Sequence, residues 1–240
     1  MEEDRSVFEL PTVDPTGSFK YGDLPEQIGD IFQPEVLKFN ELLVLIHGGY
    51  WRPEYDRVHL RPFAAALSEF GYKVISLEYR RIPGDPDSMI SDIKLAISKL
   101  PSENFTLIGH SAGGHLALVA GAKNQLVKNV VALAPVTSLL MTYEMDLDKS
   151  AALEFLGEPA NLRPDLDPMT FDKFPAKVSI VHGERDIWVP VDMSRKYVAK
   201  LKAENATISF VELENIGHFE MIDPRSIVWR ELLLLLEPLG

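Results

Sequence analysis

A lone serine between glycines is the residue whose surroundings most directly suggest covalent chemistry. Residues 105–118 read FTLIGHSAGGHLAL, and Ser111 lies at the centre of the Gly-His-Ser-Ala-Gly run at 109–113. A strand-like apolar segment ends at Gly109, and a helix of small residues is expected to follow. A turn this sharp tolerates little bulk two positions from the serine, and it lifts the hydroxyl clear of the sheet. The pattern predicts that Ser111 is a nucleophile, with a small-residue packing turn as the structural alternative.

Two more glycines follow an earlier apolar segment. Residues 42–51 read LLVLIHGGYW, so a strand runs directly into a turn that contains Gly48 and Gly49. Glycines let backbone N–H groups come close to a ligand oxygen, as an oxyanion hole requires. We therefore expect the N–H of Ala112, with one or two from Gly48, Gly49 and Tyr50, to bind an oxyanion. An ordinary glycine turn is the alternative, and its combination with the serine turn argues against it.

A carboxylate that could orient a histidine follows a later strand. Residues 179–190 read SIVHGERDIWVP, and Asp186 lies on the loop beyond the expected strand. An acid in this place suits the residue that holds the imidazole of a catalytic triad. Helix capping is the structural alternative for such an aspartate. Glu184, which is closer to the strand end, and Asp192, at the next helix, are rival carboxylates.

A histidine completes the candidate triad after the last expected strand. Residues 214–223 read ENIGHFEMID, and His218 lies on a glycine-containing loop. The chain order is then Ser111, Asp186, His218, which differs from the order in either of the two well-known serine protease folds. In such a triad Ser111 attacks a carbonyl, and His218 takes its proton and passes it to the leaving group. Asp186 holds the imidazole and stabilises its charge.

The other histidines carry no metal-binding pattern. His59 is expected to face solvent on a helix. Four more adjoin strand ends or the serine turn and are expected to be structural: His47, His110, His115 and His182. No pair has HExxH or a similar spacing, so we expect neither a metal site nor a cofactor.

Four aromatic side chains each adjoin a candidate catalytic segment. We expect them to bind substrate, because ligand pockets are mostly apolar; they are Tyr50, Trp51, Trp188 and Phe219. The alternative is that they are half-buried scaffold residues. A side chain at position 50 would also crowd the acyl side of the oxyanion hole, which favours formyl or acetyl groups over longer ones.

These residues need a scaffold that brings four separate loops together. Apolar segments of strand length alternate with helical patterns along most of the chain. Strands are expected at 27–32, 42–46, 73–79, 105–108, 129–134, 177–181 and 208–213, and helices at 58–70, 86–100, 112–122, 193–203 and 226–236. The alternation predicts an α/β fold, with a mostly parallel sheet that helices cover on both faces. In such sheets ligands bind beyond the carboxyl ends of the strands.

Two segments depart from the alternation. Residues 1–24 are rich in Pro, Gly and Asp and are expected to form an irregular arm, after which 27–32 would be an edge strand. Residues 138–174 contain three prolines and are expected to leave the sheet as a small cap or lid, with a short helix at 149–156. Neither a repeat nor a low-complexity linker divides the sequence, so we expect a single domain over residues 1–240.

The composition excludes several classes of function. The chain has 240 residues, of which 46% are hydrophobic and 25% charged, as in ordinary globular proteins. Its net charge of -12 argues against binding to nucleic acid or to an anionic membrane. The absence of cysteine excludes disulfides and a thiolate nucleophile. With no signal-peptide pattern and no run that could span a bilayer, we expect a cytoplasmic protein with a small-molecule ester or amide substrate. A homodimer is compatible with the sequence, which does not fix the oligomeric state.

The chain resembles the α/β-hydrolase superfamily over nearly its whole length. The HGG loop is similar to that of the hormone-sensitive-lipase-like esterases. The HGGxW form at 47–51, together with GHSAGGHLAL and GHFEMIDP, is similar to the kynurenine formamidases, or arylformamidases. The chain departs from the esterase branch at Tyr50, where that branch often has a third glycine.

The resemblance implies a serine hydrolase and leaves three functions open. The first is an arylformamidase-like amidase that removes a formyl group from an aromatic amine such as N-formylkynurenine. The second is a carboxylesterase for short-chain esters. The third is a non-catalytic ligand receptor on a hydrolase fold, against which the complete triad order argues.

Overall fold

A mixed sheet of eight strands forms the centre of the computed structural model, which describes residues 3–171 and 174–236. In chain order the strands are β1 Gly17–Lys20, β2 Ile28–Phe32, β3 Leu42–Ile46, β4 Lys73–Leu77, β5 Phe105–His110, β6 Asn129–Leu133, β7 Lys177–Gly183 and β8 Ile208–Leu213. Across the sheet they follow the order β1-β2-β4-β3-β5-β6-β7-β8. β2 runs antiparallel to both of its neighbours, and β3 to β8 are mutually parallel. The predicted α/β fold with a mostly parallel sheet is confirmed.

Both faces of the sheet are apolar, which explains why its central strands are hydrophobic without alternation. All five residues of β3 are buried. Leu42, Val44 and Ile46 belong to the core on one face, whereas Leu43 and Leu45 belong to the core on the other. A strand that is buried on both sides needs a layer of helices on each face.

Helices supply those two layers. They are α1 Arg61–Phe70, α2 Pro86–Ser98, α3 Ala112–Lys123, α4 Leu139–Glu144, α5 Ala151–Leu156, α6 Val191–Ala203 and α7 Ile227–Leu236. Phe63 of α1 and Leu232 of α7 pack in one core, and Met89 of α2, Leu116 of α3 and Met193 of α6 pack in the other. The longest of these helices, α2 and α6, have 13 residues each. In the described ranges no helix is therefore long and apolar enough to cross a bilayer.

The segment before β2 is more ordered than the sequence predicts. The irregular arm expected over residues 1–24 contains, in its described part, a 3-10 helix at Ser6–Glu9 and the strand β1. Consequently β2 is not the edge strand predicted at 27–32, because β1 pairs with it and forms the edge. Three of the four β1 residues are exposed, so this strand has no apolar pattern that could reveal it in the sequence.

The segment between β6 and β7 leaves the sheet and forms α4, α5 and three short 3-10 helices. The helix predicted at 149–156 begins at Ala151. Asp148, Lys149 and Ser150 have positive φ angles of 47°, 56° and 65°, and a right-handed helix cannot include them. Residues 172 and 173 of the predicted excursion lie outside the described ranges.

The parallel strands end at one edge of the sheet, and the candidate catalytic residues follow these ends. The glycine turn comes after β3 and the serine turn after β5, while Asp186 follows β7 and His218 follows β8. Since β3, β5, β6, β7 and β8 are successive neighbours in the sheet, the four loops meet at this edge.

Candidate active site

Ser111 occupies a strained turn between β5 and α3. Its backbone angles, φ 57° and ψ -121°, lie in a region that a non-glycine residue rarely adopts, and such strain is concentrated at functional sites. A Cβ on Gly109 would lie 2.2 Å from the carbonyl oxygen of Gly113, and a Cβ on Gly113 would lie 2.1 Å from the carbonyl oxygen of Ile46. The two glycines are therefore required for the close contact between strand and helix that places Ser111 at the end of β5.

Backbone hydrogen bonds fix the strained turn. The N–H of Ser111 donates to the carbonyl of Leu133 at 2.9 Å. The carbonyl of Ser111 accepts from the N–H groups of His115 at 3.1 Å and Val136 at 3.3 Å. The hydroxyl has no hydrogen-bond partner among the residues that the structure describes, and Ser111 lines a pocket. The main chain thus holds the turn and leaves the hydroxyl available for another interaction.

A carboxylate and a histidine from two loops form a buried pair beside this pocket. Nδ1 of His218 lies 2.6 Å from Oδ2 of Asp186, and both side chains are buried. The Nδ1–H donates to the carboxylate, which fixes the ring and leaves Nε2 for proton transfer. Nε2 has no hydrogen bond within the described part of the chain, and His218 lines the same pocket as Ser111. His218 is thus an oriented base on the same pocket as the Ser111 hydroxyl.

Four donors converge on the Asp186 carboxylate. Oδ1 accepts from the backbone N–H groups of Trp188 at 2.8 Å and Val189 at 2.7 Å. Oδ2 accepts from Nε2 of His182 at 3.1 Å as well as from His218. Burial alone would raise the pKa of Asp186, but the charge of His218 and the hydrogen bonds from His182 and His218 outweigh it and hold this pKa well below its usual range. Asp186 therefore stays ionised. Its carboxylate accepts hydrogen bonds from backbone N–H groups of its own loop and from His218 at the same time.

The two rival carboxylates lie away from His218. Glu184 is exposed to solvent. Asp192 is also exposed, and its Oδ1 lies 2.6 Å from Nη1 of Arg195. Of the three predicted acids, the structure brings only Asp186 to the histidine.

The glycine turn after β3 packs directly against the serine turn. A Cβ on Gly48 would lie 2.9 Å from the Cβ of Ser111, so this contact requires glycine. Gly49 and the two residues after it have positive φ angles of 107°, 47° and 60°. In the part of the chain described, the backbone N–H groups of Gly49, Tyr50 and Ala112 donate no hydrogen bond. These donors are available to a negatively charged oxygen that forms near Ser111.

Buried charges support the glycine turn from behind. Nδ1 of His47 lies 2.8 Å from the carbonyl oxygen of Gly48, and Nε2 lies 3.1 Å from Oε1 of Glu78. Glu78 also contacts the guanidinium groups of Arg57 and Arg81. Burial alone would raise the pKa of Glu78, but its hydrogen bond to His47 and the charges of His47 and Arg81 hold it well below the usual range. Both ring nitrogens of His47 are engaged, which agrees with the structural role predicted for it.

Two more buried histidines, His110 and His182, support the loops that carry the candidate acid and base. Nε2 of His110 donates to the backbone carbonyl of His218 at 3.0 Å. Burial, followed by the charge of His218, lowers the pKa of His110 well below its ordinary value, so its ring is neutral. Nδ1 of His182 lies 2.8 Å from the hydroxyl of Ser194. Among residues 3–171 and 174–236, no three His, Asp or Glu side chains are grouped so as to hold a metal ion.

Trp51 does not reach the pocket, although we expected it to bind substrate. Its ring is 3% exposed and stacks on Phe155, with the ring centroids 4.5 Å apart. The indole N–H donates to Nδ1 of His115 at 3.3 Å, and Nε2 of His115 donates to the carbonyl of Leu166 at 2.8 Å. The tryptophan of the HGGxW pattern thus ties the glycine turn to the segment between β6 and β7.

The serine and the histidine open into one pocket of about 220 Å³. The other three predicted aromatic residues, Tyr50, Trp188 and Phe219, line it. The Tyr50 hydroxyl donates to the backbone carbonyl of Trp188 and so joins the glycine turn to the Asp186 loop. The rest of the lining is Arg5, Phe8, Gly49, Tyr55, His59, His110, Ser111, Asp148, His218 and Ile222. A mostly apolar pocket with a few polar groups is typical of a small-molecule site.

One side of this pocket is formed by residues that the sequence pattern does not predict. Arg5 and Phe8 come from the supposed irregular arm, and no pattern marks them. His59 was expected to face solvent, but it is partly buried and its ring packs edge-on against His47, with the centroids 5.8 Å apart. Burial, and then the charge of His47, lower the pKa of His59 to about 4. Its place just after the glycine turn was the signal that could have identified it.

Two esterases and a kynurenine formamidase are similar to this chain in sequence or structure. The chain is 25% identical to esterase LipC of Mycobacterium tuberculosis over 239 residues, which cover 85% of this chain but only 59% of LipC. It is 22% identical to the kynurenine formamidase of Drosophila melanogaster over 231 residues, which cover 87% of this chain and 76% of that protein. A truncated carbohydrate esterase from gut microbiota has the same fold, with a TM-score of 0.77, 18% identity and 97% of each chain covered.

A family match covers most of the residues that build the site. The BD-FAE family profile matches residues 30–201, which contain the glycine turn, the serine turn and Asp186. His218 lies beyond the matched residues, on the loop after β8. The matched region, together with the fold shared with an esterase structure, shows that this chain belongs to the BD-FAE family of α/β-hydrolases.

Proposed function

We propose that this chain is a serine hydrolase that cleaves small-acyl esters or amides. The observation that carries the proposal is that Ser111, on its strained turn, lines one pocket together with His218, whose ring Asp186 holds. The free Nε2 of His218 and the unbonded hydroxyl of Ser111 are the two groups that nucleophilic catalysis needs next to each other.

The proposed reaction passes through an acyl-enzyme. Ser111 Oγ attacks the carbonyl carbon while Nε2 of His218 takes its proton, and Asp186 stabilises the imidazolium. When the tetrahedral intermediate collapses, the leaving alcohol or amine receives that proton from Nε2. Water, activated by the same nitrogen, then releases the acid and restores the hydroxyl.

The developing oxyanion is assigned to backbone donors on two turns. The N–H of Ala112 begins α3, and Gly48, Gly49 and Tyr50 supply the remaining donors from the glycine turn. Removal of one donor of this kind typically costs about 3 kcal/mol of transition-state stabilisation. The close packing of Gly48 on Ser111 supports this assignment, since it brings the two turns together.

Within this class, we infer an arylformamidase-like activity on a formylated aromatic amine. The aromatic side chains of Phe8, Tyr55, Trp188 and Phe219 line the pocket, and the Tyr50 side chain on the same lining occupies the place of a further glycine. Aromatic walls favour an aryl leaving group, and a crowded acyl side favours formyl or acetyl. The similarity to a kynurenine formamidase supports the same reading.

A short-chain carboxylesterase is the second candidate. It uses the same mechanism, and the similarity to esterase LipC favours it. The third candidate, a non-catalytic receptor, keeps the fold but requires that Ser111 be unreactive.

A side-by-side kinetic measurement separates these candidates. We expect kcat/KM for N-formylkynurenine to exceed that for 4-nitrophenyl acetate, and the Ser111→Ala protein to hydrolyse neither. Turnover of the ester alone would favour the carboxylesterase. A wild-type protein that hydrolyses neither substrate and resists a fluorophosphonate would be a receptor.

A further inference from the structure

Residues 3–8 are docked on the two catalytic loops. The carboxylate of Glu3 accepts from the backbone N–H of Ile187 at 3.1 Å and from that of His218 at 3.1 Å. Ile187 directly follows Asp186, so one side chain ties together the loops that carry the acid and the histidine. The ring of Phe8 packs edge-on against Phe219, with the centroids 5.0 Å apart. This short segment is therefore a wall of the active-site pocket.

Arg5 projects from that wall over aromatic rings at the pocket. Its guanidinium carbon lies 5.1 Å from the ring centroid of Phe219, 5.5 Å from that of Phe8 and 5.9 Å from that of Trp188. A cation above ring faces at such distances is held by the ring quadrupoles. Arg5 is exposed and lines the pocket, and it forms no ion pair with any carboxylate in the described ranges. Its hydrogen-bond donors remain available to a ligand.

The other charged residue on the lining does not compete for this cation. Asp148 is ion-paired with Arg52, and Nη1 of Arg52 lies 2.9 Å from its Oδ2. His59 has a pKa of about 4 and is neutral at physiological pH. Arg5 is thus the permanently positive side chain among the described lining residues. The chain as a whole carries a net charge of -12, which repels anions.

Phe219 lies between Arg5 and the candidate base His218 in the sense that both are within reach of its ring, which limits the distance between them. The ring centroid of Phe219 lies 5.1 Å from the Arg5 guanidinium carbon and 5.1 Å from the His218 ring centroid. The guanidinium and the imidazole are therefore no farther apart than these two distances combined. An aromatic ring attached to a carbonyl at Ser111 would extend toward Arg5 along the aromatic wall.

We propose that Arg5 determines specificity by binding a carboxylate on the aromatic part of the substrate. The proposal rests on the hydrolase function above and narrows its substrate class to anionic aryl esters or amides. The planar guanidinium matches a carboxylate with two parallel N–H···O bonds, a geometry that lysine cannot reproduce. The aromatic rings beneath Arg5 hold it in place before the ligand arrives.

Two nearly isosteric esters test this proposal. They are 3-carboxyphenyl acetate, which is anionic, and 3-carbamoylphenyl acetate, which is neutral. Arg5→Met should lower kcat/KM for the anionic ester by about 10-fold or more, as expected for loss of a charge-assisted hydrogen bond, and by less than about 2-fold for the neutral one. For the anionic ester, kcat/KM of Arg5→Lys should lie between the values for wild type and Arg5→Met. Arg230→Met removes an exposed arginine that is not on the pocket lining and should change neither value.

The outcomes distinguish this proposal from the hydrolase function itself. Equal losses on both esters in Arg5→Met, or no loss on either, would overturn the role of Arg5 and leave the hydrolase standing. If wild type hydrolyses neither ester, binding of 3-acetamidobenzoate to the Ser111→Ala protein tests the anion site separately. The hydrolase function itself fails only if N-formylkynurenine is not turned over either. Arg5→Met in the Ser111→Ala background should weaken this binding by about 10-fold and leave binding of 3-acetamidobenzamide unchanged. Equal binding of the anion with and without Arg5 would overturn the proposal.

Discussion

Two of the buried histidine–carboxylate pairs at this edge of the sheet, His47–Glu78 and His218–Asp186, differ in what the second ring nitrogen contacts. In the His47–Glu78 pair both ring nitrogens are engaged, one by the carbonyl of Gly48 and the other by the carboxylate. In the His218–Asp186 pair only Nδ1 is engaged, and the ring lines the pocket with Ser111. The first pair can only hold a loop in place, whereas the second can move a proton.

The comparison shows which properties do not identify a catalytic pair. Both carboxylates are buried, and both have a pKa held well below its usual range by neighbouring cationic or donor groups. Burial and charge are therefore common to the His47–Glu78 pair, which supports a loop, and to the His218–Asp186 pair of the candidate site. The second pair is distinguished by a ring nitrogen without a hydrogen bond to any described residue, on a pocket that it shares with the Ser111 hydroxyl. Substitutions in each pair test that distinction.

The largest effect is expected from removal of the hydroxyl. Ser111→Ala should lower kcat by about 10⁶, because triad members act as a unit. The hydroxyl has no hydrogen bond to another described residue, so thermal unfolding should not change. Initial rates with 4-nitrophenyl acetate and a melting curve measure both quantities. Turnover within a factor of ten of wild type would remove Ser111 from the mechanism.

The next effect concerns the acid that holds His218. Asp186→Asn should lower kcat by about 10⁴, because an amide can hold the imidazole in the wrong tautomer. Glu184→Gln is the matched control, since this carboxylate is two residues away but exposed, and it should change kcat little. If the two variants exchanged these effects, the acid would be Glu184.

Substitution in the His47–Glu78 pair should change mainly the stability of the protein. Glu78→Gln leaves Arg81 without an ionised partner among the described residues and Arg57 with Asp30 alone. It should lower the free energy of unfolding at pH 7 by about 3 kcal/mol. Its kcat should fall by less than about 100-fold, well short of Asp186→Asn. Urea unfolding and the same ester assay measure the two effects. A loss of activity as large as that of Asp186→Asn, with stability unchanged, would contradict the distinction between the pairs.

The pH dependence of that stability has a defined sign. The pKa of Glu78 is depressed in the folded protein, so its stabilisation is fully present above the unfolded value of about 4.3 and is lost as pH falls below it. The difference in unfolding free energy between wild type and Glu78→Gln should therefore shrink from about pH 4 downward. A difference that grows on acidification would show that Glu78 is not ionised in the native state.

A smaller effect is expected at the acyl side of the pocket. Tyr50→Gly removes a ring from the pocket lining at a position whose φ of 47° suits glycine. For wild type, kcat/KM should fall steeply from acetyl to butyryl to octanoyl esters of 4-nitrophenol, and the variant should flatten this series by at least about 10-fold. A wild-type preference for octanoyl esters would refute the crowded acyl site and favour a different class of esterase.

The smallest effect is expected at the second histidine on the lining. His59 has a pKa of about 4, so it does not change charge above about pH 5. His59→Gln should leave the shape of the profile of kcat/KM against pH unchanged between mildly acidic and alkaline pH. If the inflection of that profile disappeared in the variant, His59 would be the base that takes the proton of Ser111.

The fold was predictable where both faces of a strand are buried. The continuous apolar run of β3 and the helical spacing in α2 identify these elements in the sequence, because burial imposes the pattern. β1 was not predicted because it is short and mostly exposed. α5 begins later than predicted because three left-handed residues precede it, and nothing in their side-chain types requires that conformation.

The candidate site was predictable where chemistry restricts the residue type. Ser111, Asp186 and His218 stand out because a triad needs those groups at the ends of strands, and the structure places Asp186 and His218 in contact. Trp51, like Trp188, is an aromatic residue beside a predicted site segment. The orientation of its side chain, however, depends on contacts with Phe155 and His115 that no local sequence pattern reveals. Arg5 was missed because its place over the pocket depends on packing between distant parts of the chain.

Stoichiometric reaction with diethyl 4-nitrophenyl phosphate tests the central claim most directly, because it reports nucleophile and base without assuming a substrate. Wild type should release one equivalent of 4-nitrophenolate per chain and carry one phosphoryl group, which peptide mass spectrometry should locate on Ser111. His218→Ala and Asp186→Asn should slow this reaction strongly, whereas Glu78→Gln should slow it far less. Label on another residue, or an active protein that takes up no label, would contradict the account.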